Sequence, residues 1–223
     1  IVTPNGYFHP SCVHEIKNDE IQSAGLVIEK ANGDVRKIEK CNFSNFSKHG
    51  VERTASDNVF AQKKIEDGWQ LYAGYTLSDS LGELLAMWNV PDDPLLDQQQ
   101  TLYFFPGVQQ NPTVSILQPV LGWNQLGQKG WTLSSWNCCE AGTVTHSTPI
   151  KTYAKQLNQG RIYFDNKLGG YYIESVTLEN NIVQNRTSLA TRNYNQPVNW
   201  VLGGVMENYH VWSCDGLPSN RSM

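Results

Sequence analysis

Short apolar and aromatic runs, separated by Gly, Pro and Asn, recur from Trp69 to Trp212 and constrain the fold more than any other feature. The runs follow one another at intervals of roughly ten to fifteen residues, which is typical of the strands of an antiparallel sandwich or barrel. The sequence therefore predicts an all-β fold, a two-layer antiparallel β-sandwich. The residues expected in its core are Trp88, Tyr103, Phe105, Ile116, Val120, Trp136, Ile173 and Val205.

Two segments predict β-hairpins. Residues 26–40 place two strand-like runs around Asn32-Gly33, a dipeptide that supplies the positive φ angles of a tight turn. Residues 171–178 and 182–189 are joined by Glu179-Asn180-Asn181, which predicts a second hairpin.

The first part of the chain differs in composition from the rest. Residues 42–66 are polar and follow neither the helical nor the strand period, so we expect a surface excursion there. We expect residues 1–66 to form a hairpin extension and this excursion, packed along an edge or across one sheet of the main domain. The main domain, residues 67–223, is expected to be one folding unit.

Composition excludes several classes of partner. The formal net charge is −4, whereas nucleic acids and anionic membranes select proteins with a basic patch. No window approaches 18 consecutive apolar residues, the length that would predict a membrane-spanning helix. The chain opens with Ile1-Val2-Thr3 rather than a basic, apolar leader, so we expect a protein already processed for secretion.

Five cysteines leave one unpaired in any monomeric disulfide scheme; they are Cys12, Cys41, Cys138, Cys139 and Cys214. We predict one disulfide between Cys12 and Cys41, and a second between Cys139 and Cys214, with Cys138 as the alternative to Cys139. No metal is expected, because there is no C-x-x-C motif and His9, Cys12 and His14 form only a loose cluster.

Four N-x-S/T sequons are candidate glycosylation sites, at Asn42, Asn45, Asn185 and Asn220. Together with the cysteines and the missing leader, they favour an extracellular protein.

The sequence lacks the common catalytic motifs: G-x-S-x-G, the P-loop, HExxH and G-x-G-x-x-G. Two polar residues within apolar runs are the remaining candidates. Gln118 lies in the run 116–123, and an amide buried there must find partners or line a wet cleft, unless it lies on a solvated face. Glu207 is an acid in the run 203–209, where most such acids are simply exposed.

These runs resemble the strand succession of the glutamic peptidases of the eqolisin family. The segments that carry the resemblance are 87–91, 103–108, 116–118 and 133–136. The resemblance implies a concanavalin-like jelly roll, in which a Gln of an Ile-Leu-Gln strand and a Glu of a late strand form the catalytic pair. Gln118 corresponds to the first and Glu207 to the second, although Asn199, Gly203 and Gly204 stand where that family has further acids. The chain is also similar to secreted fungal and actinomycete proteins of unassigned role.

Such a pair would cut peptides in acid. The Glu207 carboxylate would act as general base on water, and the Gln118 amide would donate to the developing oxyanion. This acid-acting endopeptidase is the alternative hypothesis.

A non-catalytic binding protein is the first hypothesis. The seven Trp residues provide large, stiff surfaces for a sugar or a small aromatic or apolar molecule. Trp123-Asn124 and Trp136-Asn137 place an amide beside an indole, and Trp88 and Tyr103 complete the expected ligand-binding set. No cofactor is expected beyond such an organic molecule. A structural or storage protein is a third class, which predicts neither a ligand nor an activity.

Overall fold

The computed structural model describes residues 1–24, 26–46, 52, 68–110, 115–139, 142–194 and 198–218. Its strands are β1 (Val2–Thr3), β2 (Gly6–Tyr7), β3 (Val13–Ile16), β4 (Glu20–Ser23), β5 (Val27–Lys30), β6 (Val35–Lys37), β7 (Trp69–Thr76), β8 (Glu83–Asn89), β9 (Thr101–Gln109), β10 (Ile116–Trp123), β11 (Trp131–Cys138), β12 (Val144–Ser147), β13 (Ile150–Lys151), β14 (Leu157–Asp165), β15 (Gly170–Glu179), β16 (Ile182–Arg192) and β17 (Trp200–Tyr209). Short 3-10 helices cover Pro10–Cys12, Gln125–Gly127 and Cys214–Gly216.

The strands form two large sheets, which confirms the predicted all-β sandwich. Sheet I has the order β3-β12-β11-β10-β9-β17-β7, with β13 beside β11, and sheet II has the order β6-β5-β4-β16-β15-β14-β8. Most neighbours are antiparallel, but β3 runs parallel to β12 and β4 parallel to β16. The sheets are therefore mixed, because consecutive N-terminal strands join an edge of each sheet.

Both predicted hairpins are confirmed. In the first, β5 and β6 pair around Gly33, which has a φ of +88°, and the hairpin extends the edge of sheet II beyond β4. In the second, β15 pairs with β16 over most of its length. Residues 47–51 and 53–66 of the expected surface excursion lie outside the described residues. The division of the chain at residue 66 stays a prediction.

The inner face of sheet I packs on sheet II. Val108 and Leu117 of sheet I belong to the same buried cluster as Ile162, Ile173 and Leu189 of sheet II. Toward β4 and β12 the interior becomes polar and hydrogen-bonded: the Asn137 side chain donates to Gln22 Oε1, for example, at 3.2 Å.

The outer face of sheet I carries a second buried cluster. Tyr103, Phe105, Ile116, Val120, Trp136 and Val205 all belong to it, together with Phe8. Val2, Tyr7 and Val13 pack against it from the N-terminal segment. The N-terminal residues Val2, Tyr7, Phe8 and Val13 therefore pack across the outer face of sheet I.

Burial was predicted correctly for every expected core residue except Trp88, which is only half-buried. Most of them, however, lie beneath the N-terminal segment rather than between the sheets.

The Cys12–Cys41 disulfide is confirmed, but the predicted bond between Cys139 and Cys214 is wrong. Cys139 is bonded to Cys138, and Cys214 is free and exposed. The turn that carries Cys214 packs through Leu217 near Trp131, at the far end of β11 from Cys138. A strand of that length spans roughly 25 Å, whereas bonded cysteines have Cα atoms within about 7 Å.

Within the described ranges, no group of three or more His, Cys, Asp or Glu side chains could hold a metal ion. No helix in this part of the chain is long and apolar enough to cross a bilayer.

Candidate functional site

An apolar groove opens where sheet I extends past the edge of sheet II. Strand β8 is the edge of sheet II and contacts β9, whereas β17 and β7 continue sheet I beyond β9. The inner face of β17 and β7 is therefore left without a covering strand of sheet II. The resulting groove has a volume of about 1080 Å³.

Strand β8 forms the wall of the groove. Its register on β14 pairs Leu84 with Ile162, which points into the sandwich, so alternation turns Ala86 and Trp88 inward as well. Gly160 makes room for this wall: a Cβ on Gly160 would lie 3.0 Å from the Trp88 ring and would overlap Pro119. The Trp88 indole N–H is buried and has no acceptor among the described residues.

The floor is a row of apolar side chains from sheet I. Leu121, Phe104, Met206 and Leu71 are successive register partners on β10, β9, β17 and β7. Paired residues of antiparallel strands share a face, so the row points toward β8. All four residues line the groove.

A bulge in β17 keeps the floor open. The register between β17 and β9 shifts between Leu202 and Val205, so that Gly203 and Gly204 stand opposite Pro106. A Cβ placed on Gly204 would find no atom within 4 Å. Both glycines line the groove, and without side chains they do so through main-chain atoms.

The charged residues of the described lining stand at the rim of the groove. Lys155 and Asp92 are the charged residues among the described lining residues, and Lys155 Nζ lies 3.7 Å from Asp92 Oδ1. The Lys155 side chain is 80% exposed, so its charge remains in water. The groove can therefore enclose an uncharged apolar body.

Of the predicted ligand-binding residues, only Trp88 lines the groove. Trp123 faces the sandwich interior and packs edge-on against Trp131, with ring centroids 5.1 Å apart. Tyr103 and Trp136 are fully buried on the outer face of sheet I. The predicted set does not converge because strand alternation places its members on both faces of sheet I.

The two predicted amides serve the fold. Asn124 has a positive φ of 54° and closes a turn, donating to the Gln100 carbonyl at 3.2 Å and accepting from the Gly130 N–H at 3.0 Å. Asn137 is buried between the sheets and donates to Gln22. Neither amide is therefore presented to a sugar.

Gln118 is fully buried on the outer face of sheet I. It is the register partner of Trp136 and lies between Ile116 and Val120, which belong to the same cluster. Neither its amide nitrogen nor its amide oxygen has a hydrogen-bond partner in the part of the chain that the structure describes. Burying such a group without partners is costly, so the position of this amide calls for an explanation.

Glu207 is also fully buried, and it accepts a hydrogen bond from the Tyr209 hydroxyl. Gly68, at a φ of +102°, allows this arrangement, because a Cβ there would overlap the Glu207 carboxylate. Burial, and then the charge of Glu207, raise the pKa of Tyr103 well above 10.0.

Gln118 and Glu207 share a face but do not form the predicted pair. The register of β10 on β9 sets Gln118 opposite Gly107, while Glu207 pairs with Tyr103. Gln118 and Glu207 are therefore offset by four residues along the strands and lie two strands apart. Their Cα atoms are roughly 16 Å apart, too far for a hydrogen bond or a single bridging water. The β17 residue paired with Gly107, and so in line with Gln118, is Leu202.

Most residues of the groove were not predicted from the sequence. Phe104, Met206 and Leu71 look like ordinary strand residues, and only the fold shows that sheet II leaves them uncovered. A local signal did exist: Gly203-Gly204 inside an apolar strand indicates a bulge or a close approach.

The glycosylation sites stay predictions. Asn42 and Asn185 are exposed and Asn45 is half-buried, while Asn220 lies outside the described residues. In the Asn185 sequon, the Thr187 hydroxyl is buried and donates to the Thr148 carbonyl at 2.7 Å.

Comparison with known proteins finds structural likeness at low sequence identity. No family model matches the sequence, and the curated proteins contain no match. Among solved structures, the chain is similar to Scytalido-glutamic peptidase with a peptide based transition state analog, at a TM-score of 0.47 and 15% identity over 63% of this chain and 64% of that one. It is also similar to SCP-B, a member of the Eqolisin family of Peptidases, in a complex with the tripeptide Ala-Ile-His, at a TM-score of 0.41 and 16% identity over 63% of each chain. The chain thus resembles the glutamic peptidases distantly.

Proposed function

We propose that this protein is a non-catalytic binding protein that holds a small apolar molecule in the groove between β8 and β17. The observation that carries the proposal is the groove itself, with about 1080 Å³ of open volume lined mainly by apolar side chains. Sites for small molecules are typically concave and mostly apolar, with volumes of about 300–1,000 Å³.

The occupant is a small molecule rather than a sugar. Trp88 and Phe104 offer aromatic surface, and Leu121, Leu71 and Met206 offer aliphatic surface. A sugar would need several side-chain donors and acceptors around it, and the described lining residues place few there. The driving force is then the burial of apolar surface by both partners.

Filling the groove tests the proposal. Nile red, a neutral apolar dye, is titrated into the protein and binding is followed by its fluorescence. Gly204→Leu places a side chain in open space on the groove floor, and Gly82→Ala adds a methyl group in open space outside the lining residues. We expect Gly204→Leu to weaken binding at least about tenfold, or about 1.4 kcal/mol, and Gly82→Ala to bind as the parent does. Equal affinity of the Gly204→Leu variant and the parent contradicts the proposal.

A second candidate function is acid-dependent peptide cleavage, which the unpartnered Gln118 amide favours. In that function Gln118 would donate to the oxyanion of a scissile carbonyl, and Glu207 would activate water. Their separation across Val120 and Phe105 means that β17 would have to move along β9 before both could act on one scissile bond.

Protein digestion in acid separates the two candidates. The binding proposal predicts that the parent chain cleaves no protein substrate at acid pH. Cleavage that is lost in both Gln118→Ala and Glu207→Gln, while each variant stays folded, supports the peptidase. Cleavage that survives in both variants removes these residues from the mechanism.

We also propose that the protein works outside the cell. The Cys12–Cys41 disulfide is compatible with an oxidising compartment. A free-thiol count on protein taken directly from the culture medium checks this proposal, since the Cys12–Cys41 bond should already be formed there.

A further inference from the structure

The floor of the groove contains main-chain polar groups at the bulge of β17. Gly203 has no register partner in β9 or in β7, whereas Leu202 pairs with both strands and Gly204 pairs with β7. The extra residue of a bulge is left out of the hydrogen-bond ladder. Because Gly203 lines the groove without a side chain, it presents its main-chain peptide group to whatever the groove holds.

The residue opposite the bulge reinforces this arrangement. Pro106 has no N–H, so it cannot donate to a carbonyl of β17, and its ring contributes apolar surface to the groove beside Gly203. Gly203 is exposed, so its main-chain polar groups are open to water, and a ligand that shields them from water must supply a hydrogen bond in its place.

The charges around the groove exclude an ionic ligand. Phe104, Leu121 and Met206 surround the floor, and a charged group among them would lose its hydration without a counter-ion. Lys155 and Asp92 bring opposite charges to the rim and lie beside each other, so neither sign is favoured.

We infer that the ligand of this groove is a neutral molecule with an apolar, ring-sized body and one hydrogen-bonding group, a hydroxyl or a carbonyl, held at the main-chain peptide of Gly203. This inference rests on the proposed function, because it specifies what the same groove binds. It makes Gly203 the residue that selects among apolar ligands.

A matched ligand series tests the inference on the parent protein. The series has four compounds with one ring system. Naphthalene carries no polar group, and 2-methoxynaphthalene carries a hydrogen-bond acceptor. 2-Naphthol carries a neutral hydroxyl, and 2-naphthoate carries a carboxylate. Each is used to displace bound Nile red at pH 7. We expect 2-naphthol to bind about 3- to 10-fold more tightly than naphthalene, the range of one hydrogen bond, and 2-naphthoate to bind more weakly than 2-naphthol.

Nuclear magnetic resonance locates the contact. In labelled parent protein, we expect 2-naphthol, but not naphthalene, to shift the amide or carbonyl resonances of Gly203, with those of Gly82 as the control. If 2-methoxynaphthalene binds as tightly as 2-naphthol, the Gly203 N–H donates; if it binds like naphthalene, the Gly203 carbonyl accepts. Either result supports the inference.

The experiments distinguish a failure of this inference from a failure of the proposed function. If all four compounds displace Nile red with equal affinity, if 2-naphthoate binds most tightly, or if Gly203 is unmoved by 2-naphthol, the inference is overturned while the groove remains a binding site. If Nile red binds the parent and the Gly204→Leu variant equally, the proposed function itself fails.

Discussion

Glu20 is an acid whose ionisation the fold depends on. Its side chain is buried and accepts hydrogen bonds from Arg36 Nε at 3.2 Å and Arg36 Nη2 at 2.9 Å. The Lys17 N–H donates to the same carboxylate at 3.0 Å, in the turn that carries the chain from sheet I to sheet II. The hydrogen bonds from Arg36, opposed in part by burial, lower the pKa of Glu20 below its ordinary value of 4.5.

The lowered pKa fixes the sign of a pH effect. Because the folded pKa lies below the unfolded one, the contribution of Glu20 to the free energy of unfolding is complete above pH 4.5 and is lost as the pH falls through the folded pKa. We expect Glu20→Gln to lower the free energy of unfolding by about 1.5–3 kcal/mol at pH 7, the range of hydrogen bonds to charged groups.

Urea unfolding of the parent and the Glu20→Gln variant, measured from pH 7 to pH 3, checks this expectation. The gap between the two proteins should narrow as the pH falls below 4.5. A gap that stays constant over this range shows that Glu20 contributes nothing through its charge.

Gln118 shows how far a single residue could be predicted from the sequence. An amide inside an apolar run predicts either a partner or a role, and the structure buries this amide without a partner among the described residues. Its neighbours Ile116, Val120 and Trp136 form a cluster with Phe8, and further N-terminal residues pack against that cluster. These contacts come from more than 100 positions away, as in the hydrogen bond from the Tyr103 hydroxyl to the Val2 carbonyl, and no local pattern predicts them.

At the scale of elements, local chemistry predicted strands and hairpins well. Residues 81–88 have a helical composition, but Pro91 and Pro94 would end a helix within two turns, which predicts a strand instead, and β8 confirms that strand. The Gly203-Gly204 pair is a local sign of a bulge in β17, but the register that the bulge produces depends on how these glycines meet Pro106 of a strand some 100 residues earlier. It changes the register of Glu207 on β9, and so decides which residues face Gln118.

The N-terminal segment depends on its disulfide. Cys12 follows the segment that covers the outer face of sheet I, and its bond to Cys41 closes a loop with a sequence separation of 29. We expect the double variant Cys12→Ala/Cys41→Ala to lose about 3–4 kcal/mol of unfolding free energy, mainly because the unfolded chain gains freedom.

Thermal unfolding under non-reducing conditions measures this loss. Cys214→Ser is the matched control, since Cys214 is exposed and unpaired, and it should leave the melting temperature unchanged. An unchanged melting temperature in the double variant shows that this bond contributes nothing to stability.

At the scale of the whole molecule, the groove arises from the offset between the sheets. Strand spacing predicted two layers, but the sequence carries no local sign of how far one layer extends past the other. That offset is set by the number of strands on each side of the contact, with β17 and β7 beyond β9 in sheet I and β8 ending sheet II. The fold class was therefore predictable, and the site was not.

The offset predicts that two leucines of sheet I respond differently to truncation. Leu117 is fully buried between the sheets, and Leu71 in the groove is 60% exposed. We expect Leu117→Ala to lower the free energy of unfolding by about 2–5 kcal/mol, and Leu71→Ala to change it by no more than about 0.5 kcal/mol while weakening Nile red binding. Chemical unfolding and dye titration of both variants separate these effects. A Leu71→Ala variant that is destabilised as much as Leu117→Ala shows that the groove is closed core.

A crystal structure of the parent protein with 2-naphthol tests the account most directly. We expect the ring between Trp88 and Met206, with its oxygen within hydrogen-bonding distance of the Gly203 main chain. Density for the ring on the outer face of sheet I, beside Trp136 and Gln118, with the groove filled by the protein's own side chains, contradicts it.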